Sequence, residues 1–280
     1  MCRKLSCLAA VLALALLSAC GHTEGHYTPP SSSPAPATQA VPTQTPEPTP
    51  EPTPTPPPWE PYQFGVPVEE SDPVADDSFF DDAVFLGDSR TEGFELFSGM
   101  KHGDFYWARG MTVFRVDDPE FKIAEVEGEK LTLMGALGKK SYASVYIMIG
   151  VNELGYPAES YGEGLAKFVD QVLAAQPEAV VYLQVMPPLN DAMCRRNNLA
   201  GYINNDNLKA FNEAIVRVAA EKKVALLNTA EAYAGEDGQL PEELANDGCH
   251  FAYGAYARWA EYLRRHTIDR DRYFHSRENS

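Results

Sequence analysis

Three short polar segments contain residue types that could carry out hydrolysis. They are Gly87–Arg90 (GDSR), Gly150–Glu153 (GVNE) and Asp247–His250 (DGCH). Each alone has a commonplace structural explanation: Asp-Ser before a helix is often an N-cap, Asn after a strand is often a turn residue, and Asp-x-x-His is often a capped loop. Their significance depends on whether the fold brings them together.

Together the segments contain the groups of a nucleophilic hydrolytic site, which needs a nucleophile, a base and a group that orients the base. Ser89 offers a hydroxyl, His250 an imidazole, and Asp247 a carboxylate that a tight turn could aim at the same point. Such a site also needs hydrogen-bond donors where negative charge develops. The side-chain amide of Asn152 and the backbone N–H of Gly110 could supply them.

The segments lie in a chain that alternates apolar runs with helical patterns. Continuously apolar runs predict five strands buried on both faces, at Ala83–Leu86, Phe105–Ala108, Ser144–Ile149, Ala179–Val185 and Val224–Leu227. Apolar residues at helical spacing predict helices at Glu163–Ala175, Asn207–Ala220 and Tyr253–His266, with a shorter one at Leu131–Leu137. This alternation predicts a parallel sheet with helices on both sides, whose ligands bind beyond the carboxyl ends of the strands. The first two polar segments follow strands directly, and the third precedes the last helix, so all three could meet at that edge.

The segments resemble the conserved blocks of the SGNH (GDSL-type) hydrolase family. Those blocks are a Ser in a GDS motif, a Gly after strand two, an Asn in GxND and a DxxH near the C-terminus. The resemblance extends from Ala83 to about Leu263. It implies an α/β fold, a flavodoxin-like three-layer αβα sandwich with a five-stranded parallel sheet in the order 2-1-3-4-5.

The resemblance also implies a role for each site residue. Ser89 would be the nucleophile, His250 the general base and Asp247 its orienting partner. The oxyanion hole would consist of the Ser89 and Gly110 amides and the Asn152 side chain.

Two residues depart from the family pattern. Arg90 stands where the motif has Leu, and we expect it to meet an anionic or sugar-rich substrate or to cap a surface. Glu153 stands where the motif has Asp, which leaves Asn152 unaltered. The choice of Gly110 depends on where strand two lies, because Gly99 and Gly103 are close by.

The N-terminal residues 1–20 read as an export signal. Arg3 and Lys4 precede the apolar run Leu8–Leu17, which is too short to span a bilayer. Small residues lead into Cys20, and this ending resembles the lipobox of bacterial lipoproteins, in which the Cys is lipidated. The alternative is an ordinary secretory signal with an incidental Cys. The lipobox predicts an extracytoplasmic protein, lipid-anchored to a bacterial membrane.

Residues 21–62 are predicted to be a Pro/Thr-rich disordered tether, and residues 63–280 the hydrolase-like domain. Thirteen of the 22 prolines fall between Pro29 and Pro58, and such density favours extended polyproline II structure over helix. The segment would act as a stiff spacer or as a passive linker.

Composition limits the partners. A net charge of −17 argues against a nucleic-acid partner, because binding to phosphates depends on Lys and Arg. No His, Cys and Asp cluster has metal-ligand spacing, and the GxGxxG and P-loop fingerprints are absent from the sequence, so we expect neither metal nor cofactor. Cys194 and Cys249 could form one disulfide in an oxidising compartment or remain free. The loop Met186–Tyr202 after strand four is expected to set selectivity.

These observations predict a serine esterase acting on ester or O-acetyl groups of a small molecule, a carbohydrate or a cell-envelope polymer, and acting as a monomer. One alternative is an acyltransferase that moves an acyl group to a sugar hydroxyl with the same triad. Another is a polymer-binding lipoprotein that retains the fold without turnover.

Overall fold

A five-stranded parallel sheet forms the centre of the protein in the computed structural model, which describes residues 59–280. The strands of the chain are β1 (Ala83–Gly87), β2 (Asp104–Trp107), β3 (Ala124–Val126), β4 (Glu129–Leu131), β5 (Ser144–Met148), β6 (Val180–Gln184) and β7 (Ala225–Leu227). The sheet has the order β2-β1-β5-β6-β7, which is the predicted 2-1-3-4-5 when its own strands alone are numbered. The antiparallel hairpin β3-β4 is separate from this sheet and was not predicted.

The helices cover both faces of the sheet. They are α1 (Ser89–Phe97), α2 (Leu133–Leu137), α3 (Ala158–Ala175), α4 (Asp191–Arg196), α5 (Asn205–Lys222), α6 (Tyr256–Arg265) and α7 (Arg270–Glu278). Short 3-10 turns lie at Asp77–Phe80, Val151–Glu153, Thr229–Ala232, Glu242–Leu244 and Tyr253–Ala255. The chain moves from β1 to β2 in one direction and from β5 to β7 in the other, so right-handed crossovers put α1 on one face and α3 and α5 on the other. Helix α6 packs against α1, and α3 against α5, which completes the predicted three-layer αβα sandwich.

An aromatic row fixes the register of four neighbouring strands. Phe85 on β1 stacks on Phe105 of β2 at 4.8 Å between ring centroids and on Tyr146 of β5 at 5.0 Å. Tyr146 in turn stacks on Tyr182 of β6 at 4.5 Å. Each stacked pair is also a register pair, so a slip of one residue in any strand would break the row. The carboxyl ends of these strands are therefore held level.

A segment before the first strand covers one edge of the sheet. Pro67 bridges to Leu226 of β7, and the Val68 N–H donates to the Leu226 carbonyl at 2.8 Å. The Leu226 N–H donates to the hydroxyl of buried Tyr62 at 3.0 Å. This edge segment (residues 62–68) supplies an otherwise exposed strand with partners, and it begins one residue before the predicted domain boundary.

The predicted elements differ from the observed ones mainly at their ends. Helix α3 begins at Ala158, five residues earlier than predicted, and the last predicted helix is a 3-10 turn followed by α6. The predicted loop after strand four contains α4. Helix α7, whose polar sequence has a weak apolar pattern, was not predicted.

Candidate active site

Ser89 lies at the carboxyl edge of the sheet because a tight strand-to-helix turn ends β1 there. Asp88 caps α1 by accepting a hydrogen bond from the Arg90 N–H at 2.8 Å, which leaves Ser89 as the first helical residue. A Cβ at Gly87 would lie 2.3 Å from the Met148 carbonyl oxygen, so only glycine fits between the strand end and its neighbour. The turn therefore places the hydroxyl at the rim.

Asp247 and His250 form a closed turn. Asp247 Oδ1 accepts hydrogen bonds from the Cys249 and His250 N–H groups at 2.8 and 2.7 Å. Asp247 Oδ2 lies 2.8 Å from His250 Nδ1. Gly248 has a φ of +99° and packs so tightly that a Cβ there would lie 2.6 Å from the Cys194 nitrogen. The carboxylate thus holds both the backbone of the turn and the imidazole.

The structure brings two of the predicted segments into contact, although 161 residues separate them. Ser89 Oγ lies 2.9 Å from His250 Nε2. Burial opposes ionisation of Asp247, but the hydrogen bonds from the His250 imidazole and amide outweigh it and hold the pKa of this carboxyl below its ordinary value. An ionised Asp247 can fix the imidazole with its proton on Nδ1, so that Nε2 accepts from the Ser89 hydroxyl.

Arg90 is buried, which corrects the expectation that it meets substrate or caps a surface. The residue is 1% exposed and lies beneath the edge of the sheet that carries Ser89. Nε and Nη2 donate to the Cys249 carbonyl oxygen at 3.1 and 2.9 Å, and Nη1 donates to the Pro187 carbonyl at 3.3 Å. The guanidinium also lies 5.3 Å from the centroid of the Phe251 ring. The guanidinium beside Ser89 thus donates to the backbone of the turn that carries His250 and to the Pro187 carbonyl.

Asn152 lies at the end of β5 on the same rim. Its Nδ2 donates to the Met111 carbonyl at 3.0 Å and, over a longer 3.3 Å, to Asp88 Oδ2. The preceding Gly150 has a φ of +139°, and a Cβ there would lie 2.6 Å from the Tyr161 hydroxyl. The structure therefore brings the second polar segment to Asp88, the neighbour of Ser89.

Glu153, the departure from the family pattern, is a fully buried acid under this rim. Its Oε1 accepts from the Val113 N–H at 2.6 Å, while Oε2 has no hydrogen-bond partner among the described residues. Burial raises the pKa of Glu153 to about 8, and the nearby Asp88 carboxyl adds to the effect. Burial likewise raises the pKa of Asp88, against the opposing hydrogen bond and charge of Arg90. Glu153 therefore fixes the loop after β2 as a neutral acid at neutral pH.

Gly110 lies in the turn that follows β2 at the carboxyl edge, whereas Gly99 and Gly103 precede β2. The Met111 N–H donates to the Ala108 carbonyl at 3.0 Å and closes the turn, and Gly110 takes a φ of +73° that favours glycine. In the described part of the chain, the N–H groups of Gly110 and Ser89 have no hydrogen-bond acceptor. Both amides are free to donate to a ligand.

A groove of about 460 Å³ contains Ser89 and His250 and runs between α1 and residues 246–256. Arg109 lies in its wall and forms two 2.6 Å hydrogen bonds to the Glu92 carboxylate. None of the residues 186–202, the predicted selectivity loop, lines it. Three larger depressions, near residues 61–79, along α5, and between α3 and α5, contain none of the predicted site residues.

The remaining sequence predictions fall into two groups. Cys194 and Cys249 are both buried free thiols in this structure, without a disulfide. Cys20 and the signal and tether predictions lie outside the described residues. Within residues 59–280, no helix combines the length and apolar character needed to cross a bilayer, and no group of three His, Cys, Asp or Glu side chains is placed to hold a metal ion.

Sequence reasoning missed the parts played by Arg90 and Glu153. A charged residue directly after a nucleophile motif carries no burial signal, since its neighbours in sequence are polar. The Glu92–Arg109 ion pair was missed because it joins α1 to the turn after β2, and sequence patterns do not show which elements are neighbours. The only sequence signal for them was that Arg90 and Glu153 each replace the residue expected at that position of the motif.

The structure thus places a hydroxyl, an imidazole and a carboxylate in series at the carboxyl edge of a parallel αβα sheet. The sequence matches the GDSL-like Lipase/Acylhydrolase family over residues 85–258, most of the described chain. The chain belongs to this family and is an ester-hydrolysing enzyme. A search of curated proteins finds no match.

Several solved structures are similar to this chain at low sequence identity. A Streptococcus pneumonia protein whose description refers to platelet activating factor has a TM-score of 0.51 and 20% identity, covering 65% of this chain and 82% of its own. A GDSL-like lipase from Bacteroides thetaiotaomicron has a TM-score of 0.48 and 18% identity, covering 66% and 86%. A G-D-S-L family protein from Desulfitobacterium hafniense has a TM-score of 0.48 and 16% identity, covering 66% and 98%.

Proposed function

We propose that the chain is a serine esterase that removes acyl groups, above all O-acetyl groups, from carbohydrate or from a cell-envelope polymer. The observation that carries the proposal is the series Ser89 Oγ–His250 Nε2 at 2.9 Å and His250 Nδ1–Asp247 Oδ2 at 2.8 Å. A hydroxyl, an imidazole and a carboxylate in this order activate a serine for attack on an ester carbonyl. Membership of the family establishes that the chain hydrolyses esters. The triad and the substrate are our proposal.

The first half-reaction transfers the acyl group to Ser89. Oγ attacks the carbonyl carbon while its proton passes to His250 Nε2, and Asp247 stabilises the imidazolium that forms. When the bond to the alcohol oxygen breaks, Nε2 returns the proton to that oxygen and the alcohol leaves. In the second half-reaction water attacks the acyl carbon while Nε2 takes a proton from the water. When the bond from the acyl carbon to Ser89 Oγ breaks, Nε2 returns that proton to Oγ, and the free acid leaves.

The oxyanion of each tetrahedral intermediate would be held by the amides of Ser89 and Gly110 and by Asn152. The two amides have no other acceptor among residues 59–280, and that of Ser89 lies at the N-terminus of α1, where the helix dipole favours negative charge. Asn152 Nδ2 would exchange its longer 3.3 Å contact with Asp88 for the oxyanion and keep its bond to Met111. Three donors of this kind stabilise charge that exists only after attack.

The N-terminal segments underlie the choice of substrate. We propose that residues 1–20 direct export, that Cys20 is lipidated and anchors the chain to a bacterial membrane, and that residues 21–62 space a monomeric domain from that membrane. An esterase held there meets acylated envelope polymers. This placement favours carbohydrate esters over long-chain lipids.

The proposal is tested by Ser89→Ala, with Ser141→Ala as a matched control on an exposed serine far along the chain from the rim. We expect Ser89→Ala to lower kcat/KM for a short-chain aryl ester by about 10³-fold or more, and the control to keep wild-type turnover. A fluorophosphonate probe should label Ser89 in the folded wild type. Equal turnover by Ser89→Ala, or labelling at another residue, would overturn the assignment.

A further inference from the structure

The groove at Ser89 follows one face of α1. Glu92, Gly93, Leu96 and Phe97 stand three, four, seven and eight residues after Ser89, which is the spacing of a single helical face, and all line the groove. At about 1.5 Å of rise per residue, the groove extends roughly 12 Å from the hydroxyl. A ligand that fills it is therefore larger than an acetyl group.

The far end of the groove is aromatic and open to solvent. Phe97 is 41% exposed and Tyr253 is 67% exposed, and their ring centroids are 4.6 Å apart. Tyr256 backs this pair at 5.9 Å from the Phe97 ring, and it approaches α1 closely because Gly93 has no side chain. Leu96, also exposed, extends the same surface. Large exposed rings beside a reactive serine are a surface for a ligand.

The wall between the serine and the aromatic end is polar. Glu92 lies one helical turn from Ser89, and its carboxylate is only 11% exposed because Arg109 covers it with two hydrogen bonds. The Arg109 side chain is itself 77% exposed and can donate further. An alkyl chain running from Ser89 to Leu96 would have to pass this ion pair and desolvate it, which is unfavourable. The groove therefore suits a ligand with both apolar and hydroxyl-bearing surfaces.

The chemistry of the triad decides which half of the ester enters the groove. His250 must return a proton to the departing alcohol oxygen, so the alcohol lies on the His250 side of Ser89. His250 and Asn246 line this groove, whereas Gly110 and Asn152, the proposed oxyanion donors, do not. The groove is on the alcohol side.

We propose that this groove is a subsite for neutral sugar residues in the alcohol portion of the substrate, an inference that rests on the esterase function proposed above. A pyranose offers C–H faces to Phe97 and Tyr253 and hydroxyls to Arg109 and Asn246. The charge of Arg109 is balanced by Glu92, and a chain of net charge −17 repels polyanions, so the sugar is uncharged. The subsite makes an acylated oligosaccharide a better substrate than an acylated monosaccharide.

The experiment compares Phe97→Ala, Tyr253→Ala and the double variant with wild type on three esters. They are a mono-O-acetylated xylotetraose, p-nitrophenyl acetate and p-nitrophenyl octanoate. Phe79→Ala removes an equally exposed ring that lies before β1, and it serves as the matched control. We expect the double variant to lower the ratio of kcat/KM for the tetrasaccharide to that for the aryl acetate by about tenfold, mainly through KM, while Phe79→Ala leaves this ratio unchanged.

Each other outcome overturns the inference. A selective loss on the octanoate would make the groove an acyl subsite. Equal ratios for all variants, or a wild type that cleaves aryl acetate but not the acetylated tetrasaccharide, would remove the sugar subsite and leave the esterase proposal intact. A wild type that cleaves none of the three esters would count against the proposed function itself. Circular dichroism spectra matching the wild type show that the variants are folded.

Discussion

The guanidinium of Arg90 holds the carbonyl oxygen of Cys249 with two hydrogen bonds, across 159 residues of sequence. Arg90 directly follows Ser89, and Cys249 directly precedes His250. The contact therefore ties the start of α1 to the backbone beside His250. Because Arg90 is buried, its bonds are shielded from water and set the distance between the two groups.

Replacing Arg90 should disturb catalysis through geometry. Arg90→Met would leave the Cys249 and Pro187 carbonyls without donors, so we expect kcat for an aryl acetate to fall by about 10–100-fold with KM changed less than about threefold. Arg90→Lys should recover part of kcat, because an ammonium can still donate to one carbonyl. Arg196→Met, at an exposed arginine paired with Glu242, is the control and should match wild type. A rise in KM without loss of kcat would instead indicate that Arg90 contacts the substrate directly.

Asp247→Asn tests the orienting carboxylate. The amide oxygen can still accept from the Cys249 and His250 N–H groups, but it cannot stabilise an imidazolium, so we expect kcat to fall by about 10³–10⁴-fold in a folded protein. The pKa of Asp247 is lowered in the folded state, so its contribution to stability is present above the pH at which an unfolded Asp ionises and is lost as pH falls. The stability difference between wild type and variant should therefore shrink below about pH 4 in chemical denaturation. Asp271→Asn, on an exposed aspartate, should show neither effect.

Asn152→Ala tests the third oxyanion donor. Removing the side chain should lower kcat by about 10²–10³-fold, with little change in KM, because the oxyanion exists only in the transition state. Steady-state kinetics on an aryl acetate measure the split, and Asn279→Ala near the C-terminus is the control. Unchanged kcat would leave the Ser89 and Gly110 amides as the whole oxyanion hole.

Glu153→Gln should change how stability depends on pH. In the unfolded chain Glu153 ionises at its ordinary pKa of 4.5, whereas burial raises its folded pKa to about 8. Between these values the folded state binds more protons, so the free energy of unfolding of the wild type falls as pH rises. We expect the Gln variant to equal wild type near pH 5 and to exceed it by about 2–4 kcal/mol at pH 8. Urea denaturation at both pH values measures this, with Glu163→Gln on the exposed face of α3 as control, and a constant difference would refute a neutral Glu153.

The two thiols should be reduced and unreactive in the native protein. Both are buried, and burial raises the pKa of Cys249 to about 11 and also raises that of Cys194. Iodoacetamide at neutral pH should label neither residue in the native chain and both after denaturation without reductant. Mass spectrometry of the peptides gives the result, and a linked pair of Cys194 and Cys249 peptides would contradict it.

The sheet was predictable because its strands appear in the sequence as continuous apolar runs. Strands β1, β5 and β6 are buried at every position, and a strand covered on both faces is mostly apolar. The three polar segments were also predictable, since parallel strands deliver their carboxyl ends to one edge. Helix α7 was not, because its sequence is polar and it packs against β6, far away in the chain. The β3-β4 hairpin was not, because its strands are only three residues long.

The burial of Arg90 and the groove along α1 could not be predicted from the sequence, because both depend on contacts between distant segments. Arg90 is buried only because the histidine turn and the Pro187 carbonyl arrive from elsewhere to satisfy its N–H groups. The pairing of Phe97 with Tyr253 joins the end of α1 to a 3-10 turn 156 positions later. Local patterns specify elements, and contacts between distant elements specify which side chains are accessible.

The edge segment also has a mechanical consequence. A pull on the chain from its amino-terminal side would first load α7, through the Arg272 bond to the Glu60 carbonyl and the Tyr62 N–H bond to the Ser276 hydroxyl. It would then load the hydrogen bonds of residues 62–68 to Leu226 of β7. Two strands, β5 and β6, separate β7 from β1, which leads to Ser89. The load would enter through α7 and β7 and not through β1, so a pull on the chain would leave the position of Ser89 undisturbed.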